Sequence, residues 1–391
     1  MLTCNEELQM LRDSAAQVAA DVTARGIPTT RDVEAVWTQA ADLGWLALPF
    51  DEADGGLGGG AAEICTLASE LGRSLLVGSY VMSSVLPGRM IAAAPAGELR
   101  SRLIAELIAG TRGLAVADAE PATRGVCPEV ALRAAADGAG WRLEGTKAGI
   151  WTGAMTQELL VSARTAAGGD AELLAVVPLD SPGLALRRYP TIDGGEAATA
   201  VFSSVTVPAS AVLAPPDTSV RALRESAWDL ACVASMAECV GIMKALLLRT
   251  AEYLQSRKQF NQPLSKFQVL RHRMADMALA SRRAEVLTER LAEHFPALND
   301  TRTREVAGAC IKGLDGARYV CEQAIQLHGG MGMTAELPLG RYLRRVVALQ
   351  ATLGFSEHQR ARYQSTAIRD PLPQPITALV PDRATHPGSL R

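Results

Sequence analysis

Residues 257–268 read Arg-Lys-Gln-Phe-Asn-Gln-Pro-Leu-Ser-Lys-Phe-Gln, and this stretch interrupts a long helical pattern. Asn261 and Pro263 predict a turn, and Ser265 suits the start of a second helix because its hydroxyl can accept a backbone N–H. Arg257, at the end of the first helix, suits a pyrophosphate, since a guanidinium presents several donors to phosphate oxygens. Taken alone, the stretch is more typical of a helical hairpin with solvated charges.

A second informative stretch lies where another helical pattern ends. Residues 326–334 read Gln-Leu-His-Gly-Gly-Met-Gly-Met-Thr, so a helix runs into three glycines. Glycine has no Cβ, so the backbone at such a turn can lie close to another body. By itself this pattern is more typical of a helix end followed by a loop.

The rest of the chain divides into segments of different periodicity. Residues 1–110 have apolar positions at helical spacing, and residues 111–215 have short apolar or β-branched runs that predict a small antiparallel sandwich or barrel. Residues 216–370 predict a four-helix bundle, with long segments at 219–257, 265–295, 299–327 and 340–368. Residues 371–391 carry five prolines and predict a tail. This order predicts an α+β multidomain fold and excludes a Rossmann fold, in which strands and helices alternate.

The composition excludes several classes of protein. The 391 residues are 48% hydrophobic with a net charge of -3, which excludes a disordered chain and predicts no nucleic-acid partner. Charges interrupt the longest apolar stretches before about 18 residues, which predicts no membrane-spanning helix. Seven cysteines without a CxxC pair, only five histidines and an acidic N-terminus predict reduced thiols, no metal site and a cytoplasmic location.

Together, the two stretches at 257–268 and 326–334 resemble the acyl-CoA dehydrogenase family, FAD enzymes that oxidise the Cα–Cβ bond of acyl-CoA thioesters. The order of helical, β and four-helix-bundle segments is similar as well. The resemblance implies FAD as cofactor, and an acyl-CoA or acyl-carrier thioester as substrate in fatty acid or lipid metabolism. It also implies an electron-acceptor flavoprotein. Because two chains complete each FAD site in the family, it implies a homotetramer or a heterotetramer with a related subunit.

The resemblance also implies which residues bind the cofactor. Three residues of the first stretch match those that hold the FAD pyrophosphate and adenosine, and a fourth lies in the next helix: Arg257, Gln259, Phe260 and Gln268. Three residues of the second stretch match those with which a neighbouring subunit covers the same FAD: Gln326, Gly329 and Gly330.

The flavin contacts expected from the β segment are altered. The family's Thr-Glu-Pro turn occurs here as Ala119-Glu120-Pro121, so the threonine hydroxyl is missing. In the family's Trp-Ile-Thr strand, Gly149 replaces the tryptophan and Trp151 replaces the threonine. An indole N–H can donate a hydrogen bond, so we expect Trp151 to cover the flavin.

The catalytic base is missing from both positions that the family uses. The reaction needs a carboxylate to remove the α-proton while flavin N5 accepts the β-hydride. The resemblance places the usual glutamate at Leu353 and the less common one at Ala231. Neither side chain can accept a proton.

Glu238 is the candidate base that remains. It lies seven residues after Ala231, two turns along the same helix face and roughly 10 Å away. Its apolar surroundings should raise its pKa, although a buried acid more commonly pairs with a basic residue. Asp229 is a weaker candidate because it lies on another face of the helix, and His328 is more typical of a structural histidine.

Three functional hypotheses stay open from the sequence. The first is an FAD-dependent dehydrogenase with Glu238 or a residue of a partner as base, acting on a bulky acyl group. The second is a non-catalytic companion subunit of a heterotetrameric acyl-CoA dehydrogenase, which the substitutions at Leu353, Ala231 and Ala119 favour. The third is a flavin oxidase or monooxygenase of the same fold, which needs no α-proton base.

Overall fold

A computed structural model describes residues 4–23, 30–76, 80–122, 129–153, 155–165, 171–216, 218–295 and 301–367. The predicted proline-rich tail at 371–391 lies outside these residues. The elements follow the predicted order of helices, strands and helices. The predicted boundaries near residues 110 and 215 fall between the last helix and first strand and between the last strand and next helix.

The described residues of the N-terminal part contain five α-helices. Their apolar faces pack together and onto the C-terminal helices, and the predicted face residues Ala15, Val18 and Val22 are buried. Trp37 and Trp45 are buried in the same core. The five helices are α1 (Cys4–Thr23), α2 (Thr30–Asp42), α3 (Ala61–Arg73), α4 (Leu86–Ala92, preceded by a π-helical turn) and α5 (Glu98–Ile108).

The part of the central segment that the structure describes forms one eight-stranded sheet. Its strands are β1 (Gly113–Ala117), β2 (Arg133–Asp137), β3 (Gly140–Thr152), β4 (Thr156–Thr165), β5 (Glu172–Pro178), β6 (Leu184–Pro190), β7 (Glu196–Pro208) and β8 (Val212–Ala214). They pair in the order β6-β7-β3-β2-β4-β5-β8, and β1 also pairs with β4.

The sheet is mixed, so the prediction of an antiparallel sandwich or barrel was wrong about the direction of some strands. β4 pairs in parallel with β1 along Thr156–Val161 and with β2 at Arg164 and Thr165. β4 and β5 are buried on both faces, because one face packs on the helices and the other on a separate apolar core of the sheet. Parallel pairs of this kind need a long connection, which the short apolar runs in the sequence do not reveal.

Within residues 218–295 and 301–367, the C-terminal part is a helical bundle with one α-helix more than predicted. It contains α6 (Val220–Ser256), α7 (Gln268–His294), α8 (Arg302–His328), α9 (Leu339–Leu353) and α10 (Phe355–Ala367). The segment predicted as one helix at 340–368 is two, because Gly354 adopts a left-handed conformation with φ of 86° and ends α9.

By length and composition alone, α6 is long and apolar enough to cross a membrane. In the fold, 89% of its most apolar window is buried inside the protein. The helix therefore has the burial of a core helix, and its apolar residues pack against helices α3 and α8.

Two glycines permit close packing of α3 against α6. A Cβ at Gly241 of α6 would lie 1.9 Å from the carbonyl oxygen of Ser69 in α3. A Cβ at Gly72 of α3 would lie 2.4 Å from the carbonyl oxygen of Glu238 in α6. The backbones of α3 and α6 are therefore in close contact next to Glu238.

Gly241→Ala is expected to lower the free energy of unfolding by about 1–3 kcal/mol, since the added methyl overlaps backbone that cannot move alone. Urea denaturation of the purified chain measures this change. Gly316→Ala in α8 is the control, because its nearest neighbour atom would lie at 3.7 Å. The control should keep or raise the stability, by up to about 1 kcal/mol. Equal losses in both variants would contradict the close packing.

Candidate functional site

The turn after α6 is a short β-hairpin. Lys258 and Gln259 form β9, and Gln262 and Pro263 form β10, joined by Phe260 and Asn261. These two turn residues have φ of 49° and 64°. A positive φ is costly for an aromatic residue and is more common at functional sites than elsewhere.

The side chain of Phe260 is the most exposed large apolar side chain among the described residues. It is 87% exposed and makes an edge contact with Phe267, with the ring centroids 6.1 Å apart. Arg257, Gln259 and Gln268 are exposed as well. The four predicted residues therefore form one surface-facing group.

The glycine turn lies against the same end of the bundle. The ring of Tyr253, one turn before the hairpin, stacks on His328, with centroids 4.3 Å apart, and its hydroxyl donates to the carbonyl oxygen of His328 at 3.3 Å. The Nδ1 atom of His328 is hydrogen-bonded to the carbonyl oxygen of Ala324 at 2.8 Å. Burial lowers the pKa of His328, which suits a packing role for this side chain.

The contact of Tyr253 with His328 thus places the C-terminal ends of α6 and α8, where the two stretches lie, next to each other. Gln326, Gly329 and Gly330 are exposed, like the predicted residues of the hairpin. We name the exposed group of Arg257, Gln259, Phe260, Gln268, Gln326, Gly329 and Gly330 the hairpin surface.

Ala119 and Trp151 lie in the sheet part. Ala148 donates its backbone N–H to the carbonyl oxygen of Ala119 at 2.9 Å, which places the segment after β1 beside β3. Ile150 is buried in the core of the sheet, and the neighbouring Trp151 packs instead on the helices. The indole N–H of Trp151 donates to the hydroxyl of Thr352 in α9 at 2.8 Å.

Both acidic neighbours of Ala119 are buried in a polar network. The Asp118 carboxylate accepts from Arg224 Nε at 2.7 Å, from Trp228 Nε1 at 2.8 Å and from the hydroxyl of Ser162 at 2.6 Å. Burial raises the pKa of Asp118, but Arg224 and its other partners outweigh this and hold the pKa below its usual value.

Glu120 is held by a second set of donors. One carboxylate oxygen accepts from Lys147 Nζ at 2.9 Å and from the backbone N–H groups of Ala131 and Leu132, each at 2.8 Å. Burial lowers the pKa of Lys147. Sequence reasoning missed this role of Asp118, Arg224 and Lys147, although two acids separated by one residue after an apolar strand were a signal.

Glu238 forms a two-pronged ion pair. Its carboxylate accepts from Arg345 Nε at 2.5 Å and Nη2 at 3.1 Å, and Arg345 Nη1 donates to Asp193 at 2.8 Å. Glu238 is 0% exposed. Burial raises its pKa, and the guanidinium of Arg345 acts in the opposite direction. Arg345 also lies over the ring of Trp151, 5.4 Å from its centroid.

The other candidate bases have structural surroundings. Leu353 and Ala231 are both fully buried. Asp229 accepts from Arg302 at 3.0 Å and from Arg362 at 2.8 Å, so it joins α6 to α8 and α10. Among the described residues, no group of three or more His, Cys, Asp or Glu side chains is arranged to hold a metal ion.

Sequence comparisons match both helical parts of the chain to one family. Residues 5–111 match the model described as "Acyl-CoA dehydrogenase, N-terminal domain", and residues 226–367 match "Acyl-CoA dehydrogenase, C-terminal domain". Acyl-CoA dehydrogenase FadE28 of Mycobacterium tuberculosis is 30% identical over 351 residues, covering 88% of this chain and 94% of that protein. Human mitochondrial short-chain specific acyl-CoA dehydrogenase is 28% identical over 329 residues, covering 81% of this chain and 78% of that protein.

Solved structures match the fold. A variant of the Tcur3481-Tcur3483 steroid ACAD has a TM-score of 0.81 and 27% identity, and covers 94% of this chain and 99% of that chain. The ChsE4-ChsE5 complex of Mycobacterium tuberculosis has a TM-score of 0.82 at 24% identity, over 94% of this chain and 99% of that chain, and supports the fold alone.

Proposed function

Since this chain belongs to the acyl-CoA dehydrogenase family of flavin oxidoreductases acting on CH–CH groups, we propose that it is one subunit of a multimeric enzyme for α,β-dehydrogenation of an acyl-CoA thioester. In this enzyme a related chain carries the catalytic base. The substrate is an acyl-CoA or acyl-carrier thioester, an electron-acceptor flavoprotein reoxidises the enzyme, and the complex is a cytoplasmic heterotetramer.

The ion pair of Glu238 with Arg345 is the observation that carries this proposal. A base must present a free lone pair to the α-proton of the substrate. Arg345 occupies both carboxylate oxygens of Glu238, and the whole residue is inaccessible to solvent. With Leu353 and Ala231 at the family's base positions, a base on a partner chain supplies the function that this chain lacks.

The hairpin surface fits the adenosine diphosphate part of FAD. It combines an exposed arginine, amides and an exposed aromatic ring with a glycine turn, and such groups suit phosphates and an adenine ring. When bound, FAD supplies a hydride acceptor. Because the surface faces outward at the end of the bundle, we propose that it completes the FAD site of a related partner chain.

The acyl group is proposed to be bulky. The apolar part of α6 next to Ala231 includes several small side chains, among them Ala234 and Ala237. A structural relative with 27% identity is named a steroid ACAD. A panel from butyryl-CoA to a CoA thioester of a steroid side chain therefore covers the expected range.

The lone chain is expected not to reduce an artificial electron acceptor with any thioester of this panel. Purified together with a related chain that has glutamate at the position equivalent to Leu353, it should turn over at least one of them. Full turnover by the lone chain would contradict the proposal. Measuring oxygen uptake in the same assay tests the oxidase or monooxygenase hypothesis.

A self-contained dehydrogenase with Glu238 as base is the second candidate, favoured by the burial that raises the pKa of Glu238. Glu238→Gln and Arg345→Gln both break the same ion pair, but only the first removes a carboxylate. Under our proposal neither variant lowers turnover of the folded complex by more than a small factor. Loss of a base would lower kcat about 100-fold or more in Glu238→Gln alone.

A further inference from the structure

Trp151 occupies a position where the resemblance places the flavin ring contacts of the β part. Its indole extends from β3 to α9, donates to the hydroxyl of Thr352 at 2.8 Å and lies under the guanidinium of Arg345. We name this contact the Trp151–Thr352 bridge. It joins the sheet to the helix that carries Leu353, the residue at the family's usual base position.

The bridge occupies the hydrogen-bond donors of both of its side chains. An indole has a single donor and no acceptor, and that donor is already bound to Thr352. The hydroxyl of Thr352 donates in turn to the carbonyl oxygen of Ala348 at 2.9 Å. Neither side chain has a donor left for a flavin nitrogen or oxygen.

The other expected ring contacts are missing as well. Ala119 has no hydroxyl, and its neighbours Asp118 and Glu120 are engaged in the buried network. Gly149 replaces the family's tryptophan and adopts φ of 64° at a β-bulge, and a Cβ there would meet nothing within 4 Å. The residues that fit adenosine diphosphate are present, whereas those expected around the isoalloxazine ring do not fit it.

We infer that the Trp151–Thr352 bridge closes this chain's own isoalloxazine site, so that the chain lends its hairpin surface to a partner's FAD and holds no flavin ring itself. The complex then contains one FAD for every two chains. This inference rests on the proposed function, since it takes the hairpin surface to bind the adenosine diphosphate part.

The affinities of the full chain for FAD and for ADP test the inference, measured by isothermal titration calorimetry. If only the adenosine diphosphate part is bound, FAD and ADP bind the wild type with similar Kd. Trp151→Thr removes the indole and restores the family's hydroxyl. Because two chains complete each FAD site in the family, the opened ring site of one copy then adjoins the hairpin surface of another copy, and FAD should bind about tenfold or more tightly than ADP.

Thr352→Val and Thr352→Ser form a matched pair that leaves Trp151 in place. The valine variant loses the acceptor of the indole N–H, so its affinity for FAD relative to ADP should change in the same direction as in Trp151→Thr. The serine variant keeps the hydroxyl, so its affinity for FAD relative to ADP should match that of the wild type. Trp141→Thr, on the same strand, is the control for loss of an indole and should also match the wild type.

The outcomes separate the two proposals. Binding of FAD tenfold or more tightly than ADP by the wild type, unchanged in the Trp151 and Thr352 variants, would overturn the bridge and leave the hairpin surface intact. Failure of wild type and variants alike to bind either ligand, with normal thermal unfolding, would overturn the role of the hairpin surface. A preference for FAD over ADP that appears in Trp151→Thr and Thr352→Val, but not in Thr352→Ser or Trp141→Thr, supports the bridge.

Discussion

Arg224→Met is expected to lower the free energy of unfolding by about 3–5 kcal/mol, because it removes the buried guanidinium that two buried carboxylates share. Arg224 is 1% exposed and donates to Asp118 at 2.7 Å and to Glu172 at 2.5 Å. The substitution removes the ion pairs that join α6 to the sheet, and methionine keeps an apolar side chain of similar length in their place. Guanidinium chloride denaturation of wild type and variant measures the loss.

Arg221→Met is the matched control for this prediction. Arg221 lies one turn earlier on the same helix and approaches Glu172 at 3.7 Å, but its side chain is 43% exposed. Exposed pairs contribute about 1 kcal/mol or less. Similar losses of stability in Arg224→Met and Arg221→Met would show that burial does not determine how much the ion pairs of Arg224 stabilise the fold.

The pH dependence of the Arg224→Met effect gives a second readout. The pKa of Asp118 in the folded chain lies below its ordinary value of 3.8. The corresponding stability is therefore present above about pH 4 and is lost as the pH falls through the lowered pKa. The difference between wild type and Arg224→Met should shrink below about pH 4, and a difference that grows there would contradict the assigned cause.

Arg345→Met is expected to have an effect of similar size, about 3–5 kcal/mol, in a different part of the molecule. Arg345 is the shared cation of Glu238 in α6 and Asp193 in the loop between β6 and β7. The variant leaves both acids facing each other without a counter-charge. Thermal unfolding of the variant should therefore shift to lower temperature, because the contact between this loop and α9 is lost.

A double variant identifies the origin of this loss. Adding Glu238→Gln to Arg345→Met removes the buried charge that the single variant leaves behind, so it should recover part of the stability. Arg188→Met is the exposed control, since it pairs with Glu196 at the surface of the sheet. Additive losses in the double variant would contradict a direct interaction between Arg345 and Glu238.

The predictable parts of this protein are those with local signals. Apolar spacing at Ala15, Val18 and Val22 predicted a helix face, and the run Leu173–Val177 predicted a strand. The turn at Asn261 followed from residues that favour turns. Gly354 carried a usable signal for the break between α9 and α10, but the surrounding helical spacing concealed it.

The unpredicted parts depend on contacts between distant residues. Glu238 and Arg345 are 107 positions apart, and Trp151 and Thr352 are 201 apart. The apolar surroundings of Glu238 predicted burial, yet they did not indicate which cation would pair with it. The parallel pairing of β4 with β1 and β2 likewise depends on a connection whose path the sequence does not specify.

By itself, the sequence determined the order of helices, strands and bundle, the resemblance to one family and the absence of a carboxylate at Leu353 and Ala231. These features follow from periodicity and residue identity, which can be determined from a few neighbouring residues. Only the tertiary structure decided that Glu238 is bound by Arg345 and that Trp151 donates to Thr352. A buried charge or donor takes whichever partner the packing of other elements brings within hydrogen-bond distance, so its role is determined by the fold as a whole.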